Sequence, residues 1–527
     1  MAPSPRLRHA LRYALIAALP FSDFLQSGVV AFNGAPIMGD ISAGPEEYSL
    51  VATLYALVAI AVIASHRWLL ERMGWRILIH CSAALFAAGA VGCARSESLV
   101  TFALSRMMMA GGCANFLTAG RLLVNQSPPS PQRFTGIRLL ASGIAWGGVA
   151  GPLLASMSLV AGDWRNAFYA MLLPAGLLSL LGELALPRER LEQLTDFDPR
   201  WTLLLLGGSL LLLLASQRSG FDFFADPWPL LLYVAAGVAV LAGIALTGAR
   251  RSRPLLRLRQ MTQPRLLFGL AIFGLCYTVL GADNAMLPLL MLRGMNLPQQ
   301  VVGVYMAIGA LGGVLGWIAL ARLLPRHPGP SRYYLLSLGL LLACALQLGT
   351  LSETAHPTRS VLPALLCHGA FVITVLSITA MQAFQTFQQD ETNFSNANQV
   401  KNILSQLGVA AGVAIATLGL QWRSTLHYVR LGESLPASSQ QLTDVLDPLS
   451  RFLGSTHDPT TAAHLALAEV GTMMAQEATL LGALDYFVAL GWFAGGCICV
   501  VLAERLIRGL RQVASDRRPR VALTPKS

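Results

Sequence analysis

Residues 138–156, RLLASGIAWGGVAGPLLAS, place glycines at 143, 147 and 151 and follow the last of them with Pro152. Glycines four apart fall on one face of a helix, where the missing side chains let a second backbone come close. Pro152 withholds its N–H from the carbonyl of residue 148 and presses its ring against it, and residue 148 is another glycine. The stretch reads as a bent, tightly packed membrane helix. A general small-residue packing face and a specialised element fit this spacing equally, so the surroundings have to decide.

The chain of 527 residues is 54% hydrophobic and 12% charged, with a mean hydropathy of +0.56. Soluble domains carry roughly 25% charged residues, so half that value points to an all-α integral membrane protein that crosses the bilayer repeatedly. A formal net charge of +11 raises the question of nucleic acid. The basic residues sit in short loops between apolar runs, which makes the lipid bilayer the partner and excludes nucleic acid. All eight cysteines (81, 93, 113, 276, 344, 367, 497 and 499) fall inside apolar stretches without a CxxC pattern, so neither a disulfide framework nor a metal site is indicated. The N-terminus, basic at Arg6, Arg8 and Arg12 and then apolar, imitates a secretory signal but is long enough to span and reads as the first membrane helix.

At about 20 apolar residues per crossing, helices are predicted near 12–35, 48–66, 76–94, 98–120, 136–161, 164–186, 201–218, 228–248, 266–291, 300–324, 333–352, 359–385, 399–421 and 482–504. That makes 14 transmembrane helices, and an even number puts both termini on one side. Most of the 38 Lys and Arg residues fall on that side, with Arg106 the only base placed in mid-membrane. The positive-inside rule then makes both termini cytoplasmic. The densest basic cluster, Arg250, Arg251, Arg253, Arg257, Arg259 and Arg265, lies between helices 8 and 9, whereas the loop between helices 1 and 2 holds Asp40, Glu46 and Glu47. One long external loop, 421–481, carries short amphipathic patterns such as LTDVLDPLSRFLG. These suggest helices on the membrane surface or over the translocation path, either as a passive connector or as a contact for a periplasmic partner.

Several stretches together resemble the major facilitator superfamily, and specifically its fourteen-helix drug/proton antiporters of the EmrB/QacA type. Residues 67–76, RWLLERMGWR, resemble the loop motif GRLADRFGRR at Glu71, Arg72, Gly74 and Arg76, with Arg67 in place of the leading glycine. The resemblance implies a charge lock that gates the cytoplasmic side. RMMMAG at 106–111 resembles the helix 4 motif RxxQG through Arg106, with Met109 in place of the glutamine. The opening stretch resembles the antiporter motif of helix 5, with Gly143, Gly147, Gly151 and Pro152 in register. Trp164, Arg165, Phe168, Pro174 and Gly176 resemble the helix 6 signature WRxxFxxxxPxG, with five residues in place of four between Phe168 and Pro174, and Asn402, Leu407 and Gly408 resemble the helix 13 pattern. On helix 1 the family pattern LDxTIVNVALP meets LQSGVVAFNGAP, with Gln26 roughly where the acid belongs and Asp23 one turn earlier.

The resemblance implies a major facilitator fold: a six-helix half over 1–190, two inserted helices and a basic loop over 191–262, and a second half over 263–527 that includes the loop 421–481. It also implies a periplasmic adaptor and an outer-membrane channel as partners where the cell has two membranes. The implied function is proton-coupled export of small amphipathic compounds across the inner membrane. A proton-coupled symporter importing a small molecule and a non-transporting membrane assembly protein are the alternatives, since fold does not set direction.

Ionisable residues inside membrane helices are costly and by default functional. Asp23 in helix 1, Asp283 in helix 9 and Arg106 in helix 4 are therefore the candidates for proton coupling. A carboxylate that moves between an apolar site and an arginine changes its proton affinity and can carry a proton. His80 and His368 lie in apolar runs as relays or as packing residues. Gln26, Trp146, Tyr277 and Asn284 are candidates for the substrate cavity, with Met107 and Met108 as further adaptable contacts. No GxxxxGK[ST], GxSxG or HExxH motif is present, so neither an ATP-driven pump nor a hydrolase is indicated, and no cofactor is called for.

Overall fold

In the computed structural model the described residues are 4–127, 130–188, 192, 195–248, 254–352, 356–387, 390–434 and 440–516. Arg250, Arg251 and Arg253 of the predicted basic cluster lie outside them. Every regular element among the described residues is helical. In chain order these are α1 (Pro5–Phe32), α2 (Gly34–Asp40), α3 (Pro45–Ala94), α4 (Leu99–Asn125), α5 (Pro131–Val160), α6 (Arg165–Ala170), α7 (Leu172–Ala185) and α8 (Pro199–Asp222). They continue as α9 (Trp228–Gly248), α10 (Pro264–Leu289), α11 (Gln299–Leu323), α12 (Pro330–Gly349), α13 (Pro357–Ala383), α14 (Glu391–Ser434), α15 (Gln440–Leu453) and α16 (Pro459–Asp516).

The ends follow local chemistry. Prolines open α1, α3, α5, α8, α10, α12 and α13, where the missing N–H costs no helix bond. Asp198 caps α8 by accepting from the amides of Arg200 and Trp201.

Thirteen helical stretches are long and apolar enough to cross a membrane, α6 and α7 together forming one of them. The 50-residue α3 holds two. A straight helix of that length would run about 75 Å, more than twice a hydrocarbon core of about 30 Å. Gly74, at φ 76°, breaks it into legs 45–73 and 75–94. A side chain rarely adopts that backbone angle, which is why the loop motif needs its glycine. With α3 counted twice, the crossings number fourteen, as expected from hydropathy.

The first seven helices close around one apolar core that includes Leu15, Phe86, Phe116 and Phe168. The helices after α9, apart from α15, enclose a second with Leu290, Leu341, Leu365 and Phe487. The two halves meet along two seams, α5 against α11 and α3 against α14. The expected inserted pair sits outside the second seam: α8 packs on α3 and α14, and α9 packs on α8. Large apolar side chains such as Leu203, Leu232 and Val500 point outward, as lipid contact requires.

The expectation of a long external loop over 421–481 is corrected. α14 continues unbroken to Ser434, and α16 starts at Pro459 and runs straight into its membrane segment, with α15 packed against it. Asp485 of α16 holds the two together, taking Arg423 Nε at 2.7 Å and His427 Nε2 at 2.6 Å from α14. Hydropathy marks only the apolar part of such helices, although the polar parts keep the same helical phase.

Candidate substrate cavity and charge network

Arg106 reaches from α4 into the first half and is buried. Its guanidinium donates through Nη1 to Gln26 Oε1 at 2.9 Å and lies 4.4 Å from the centre of the Tyr55 ring. Met109, which stands where the helix 4 motif has glutamine, takes a further contact from Nη1 at 3.1 Å. The Gln26 amide nitrogen lies 2.8 Å from Tyr55 Oη and 3.4 Å from Asp23 Oδ1. Gln26 therefore stands between the two charges: among the described residues Arg106 has no direct ion pair, and Asp23 meets it through a neutral amide. Asp23 is also within electrostatic reach of Lys401 on α14 of the other half.

Two further bases, Lys401 and the half-buried Arg121, lie inside the helix bundle. Lys401 is 1% exposed, with Nζ 5.7 Å from the ring centres of both Phe273 and Tyr277. Arg121 of α4 lies 5.4 Å from the Phe384 ring. Lys401 escapes a hydropathy reading because the first turns of α14 are polar. Asn396, Asn398, Gln399 and Asn402 are nevertheless buried with it against the first half. Gln399 donates to the carbonyls of Ile63 and Ala64, and Asn402 donates to Thr118 Oγ1 at 2.7 Å. The signal available was an amide-rich run directly before an apolar one, which a helix between two protein halves tolerates and a lipid-facing helix does not.

Asp283 belongs to a separate cluster in the second half. Its carboxylate receives Tyr486 Oη at 2.6 Å and lies 2.9 Å from His368 Nε2. His368 is thus a partner of an acid, whereas His80 meets Ser179 and Glu183. The structure does not bring Asp23 and Asp283 into one site.

A cavity of about 290 Å³ opens between the halves, lined by Arg121, Arg133 and Lys401 and by apolar residues that include Trp317 and Ile373. Tyr277 lines it as expected. Trp146 does not: it is 50% exposed, on an outward stripe of α5 with Leu153, Met157 and Val160. Asn284 is exposed and also outside the lining, and Gln26 belongs to the Arg106 network instead.

The opening stretch borders this cavity through Leu140, Ala141 and Ile144. A Cβ on Gly143 would lie 2.2 Å from the Ala17 carbonyl oxygen, and one on Gly151 would lie 2.8 Å from Gly28 Cα, so the glycine face is a close contact with α1. One turn on, Ser156 donates to the Gln300 carbonyl at 2.7 Å, and the amide of Gln299 donates to the Phe32 carbonyl, which joins the halves. At the other end Arg67, the residue that displaces the motif glycine, holds Glu71 at 2.6 Å and Glu391 of α14 at 3.3 Å. Glu71 also accepts from the amide of Thr195 at 2.9 Å. Arg76 instead holds Glu183 at 2.5 Å, and Arg72 lies over the Trp68 ring. At this end Arg67 and Gln126 of the first half both reach Glu391 of α14.

The Major Facilitator Superfamily sequence model matches residues 16–417. The chain belongs to the major facilitator superfamily. Among curated members it is similar to multidrug resistance protein MdtD of Serratia proteamaculans, at 26% identity over 71% of this chain and 78% of that one. The MdtD of Salmonella typhi is 24% identical over 75% and 84%. Among solved structures the fold matches a proton dependent oligopeptide transporter with a TM-score of 0.58 at 13% identity, over 94% of this chain and 99% of that one. An auto inhibited POT family peptide transporter matches with 0.53 at 15% identity, over 91% and 96%. These likenesses establish the superfamily's transporter fold.

Proposed function

We propose that this member of the superfamily is a proton-coupled secondary transporter that exports small amphipathic compounds by alternating access, without enzymatic chemistry. The observation that carries the reading is Asp23: an acid within a long apolar helix, linked through Gln26 to Arg106 of its own half and within electrostatic reach of Lys401 of the other. A rocking motion that separates the halves changes the distance from Asp23 to Lys401, and with it the affinity of Asp23 for a proton. The multidrug resistance names of the MdtD relatives support the efflux direction. The antiporter-like stretch of α5 would act as a seal against leak. In this reading the protein sits in the inner membrane with both termini cytoplasmic, and the joined ends of α14 and α16 would face a periplasmic adaptor and outer-membrane channel.

Everted membrane vesicles provide the test. Adding an exported compound should discharge a respiration-generated pH gradient. A gradient untouched across a chemically broad panel would sink the antiport reading, and a gradient that instead drives the compound out of everted vesicles would mark the protein as an importing symporter.

A further inference from the structure

We infer that the cavity between the halves binds an amphipathic organic anion, its carboxylate seated between Lys401 and Arg121 and its apolar body against Trp317 and Ile373. This deepens the reading of that cavity as the transport site and rests on it. Among the described residues the charged side chains of the lining, Arg121, Arg133 and Lys401, are all basic, and the vacant counter-charge is that of Lys401 and Arg121. Lys401 is 1% exposed and Arg121 is half-buried, yet among the described residues neither has a carboxylate within ion-pair distance. Their partners are ring faces, Phe273 and Tyr277 for Lys401 and Phe384 for Arg121.

A ring face compensates a desolvated cation only partly, and a buried charge without a counter-ion is costly. Asp23, within electrostatic reach of Lys401, is not part of the lining and is engaged with Gln26. A bound carboxylate supplies the missing counter-charge, and the guanidinium fork of Arg121 suits its two oxygens. The amides of Asn125, Gln382 and Gln385 at the rim donate to the same kind of group. Much of the lining is apolar, with Trp317, Ile373, Ile137 and Leu140, so a purely hydrophilic anion would leave it unfilled. A lipophilic cation, the other common amphipath, meets the like charges of Lys401 and Arg121.

The test uses the full-length purified protein in detergent and equilibrium binding of three probes on one ring skeleton: 2-naphthoate, 2-naphthamide and 2-naphthyltrimethylammonium. Naphthoate should bind about tenfold or more tighter than the amide, as expected for charge-assisted hydrogen bonds over neutral ones, and the ammonium probe weakest. Lys401→Gln and Arg121→Gln should each bring naphthoate down toward the amide, and Lys401→Arg should keep the preference. Equal affinities, a preference for the cation, or no saturable naphthoate binding to the wild-type protein overturns the proposal, and none of these needs a variant to fold. Binding and proton coupling separate cleanly. Naphthoate bound in the expected order without any discharge of the vesicle gradient removes the antiport reading alone. Discharge by lipophilic cations without naphthoate binding removes the anion site alone.

Discussion

Arg106 meets its acid through an amide. In the proposed mechanism Gln26, which hydrogen-bonds both side chains, takes the place of a direct Arg106–Asp23 ion pair, so that protonation of Asp23 competes with a weaker attraction. Asp23→Asn keeps the size of the side chain and removes the titration. It should abolish substrate-induced proton flux in vesicles, by at least about tenfold, while expression and detergent stability stay near wild type. Retained flux would move the coupling site elsewhere, with the Asp283, His368 and Tyr486 cluster next in line. At this scale the sequence pointed to Asp23 and Arg106, which the structure joins through Gln26. It missed Lys401 and Arg121, because burial between protein halves leaves no mark on hydropathy.

The fifth long helix carries the sharpest element-level expectation. Gly151→Val places a branched side chain where even a Cβ would meet Gly28 Cα at 2.8 Å. Overpacking of this kind costs about 1–3 kcal/mol and should lower the thermal midpoint in detergent, together with a leak of protons through the resting protein. An unchanged midpoint would mean that α1 yields more easily than its backbone contact implies. The helix 6 signature has a structural role of its own: Trp164 Nε1 and Arg165 Nη1 both donate to Asp40, at 2.8 and 2.7 Å, and tie α2 to the start of α6. These bonds hold Asp40 below the usual carboxylate range. With its pKa lowered by folding, the stabilisation is complete above the ordinary value of about 4 and is lost as pH falls through the lower folded value. Thermal scans of the wild type and Asp40→Asn should therefore differ at neutral pH and converge in acid.

Across the whole molecule, transport requires the contact that now closes one end to open. Gly303 of α11 packs against Ser156 so closely that a Cβ on it would lie 2.9 Å from Ser156 Cβ. The paired variant Ser156→Cys and Gly303→Cys is near enough for a disulfide after a slight relaxation. Oxidation should arrest flux, and a reductant should restore it; flux through the cross-linked protein would contradict alternating access at this seam.

Hydropathy, glycine spacing and the positions of proline by themselves determined an all-helical protein of fourteen crossings with a close-packed α5, because lipid forces every backbone group into a helix and small residues mark close contacts. Only the tertiary structure decided which groups face the cavity. Trp146 and Tyr277 are both aromatic residues in apolar helices, yet one points out of the bundle and the other in. Lys401 became a charge buried inside the bundle, Arg67 became one of the residues that reach the other half, and 421–481 became the continuation of two helices. Each outcome depends on contacts between elements distant in sequence, and the burial of a polar side chain against another protein helix is invisible to any local window.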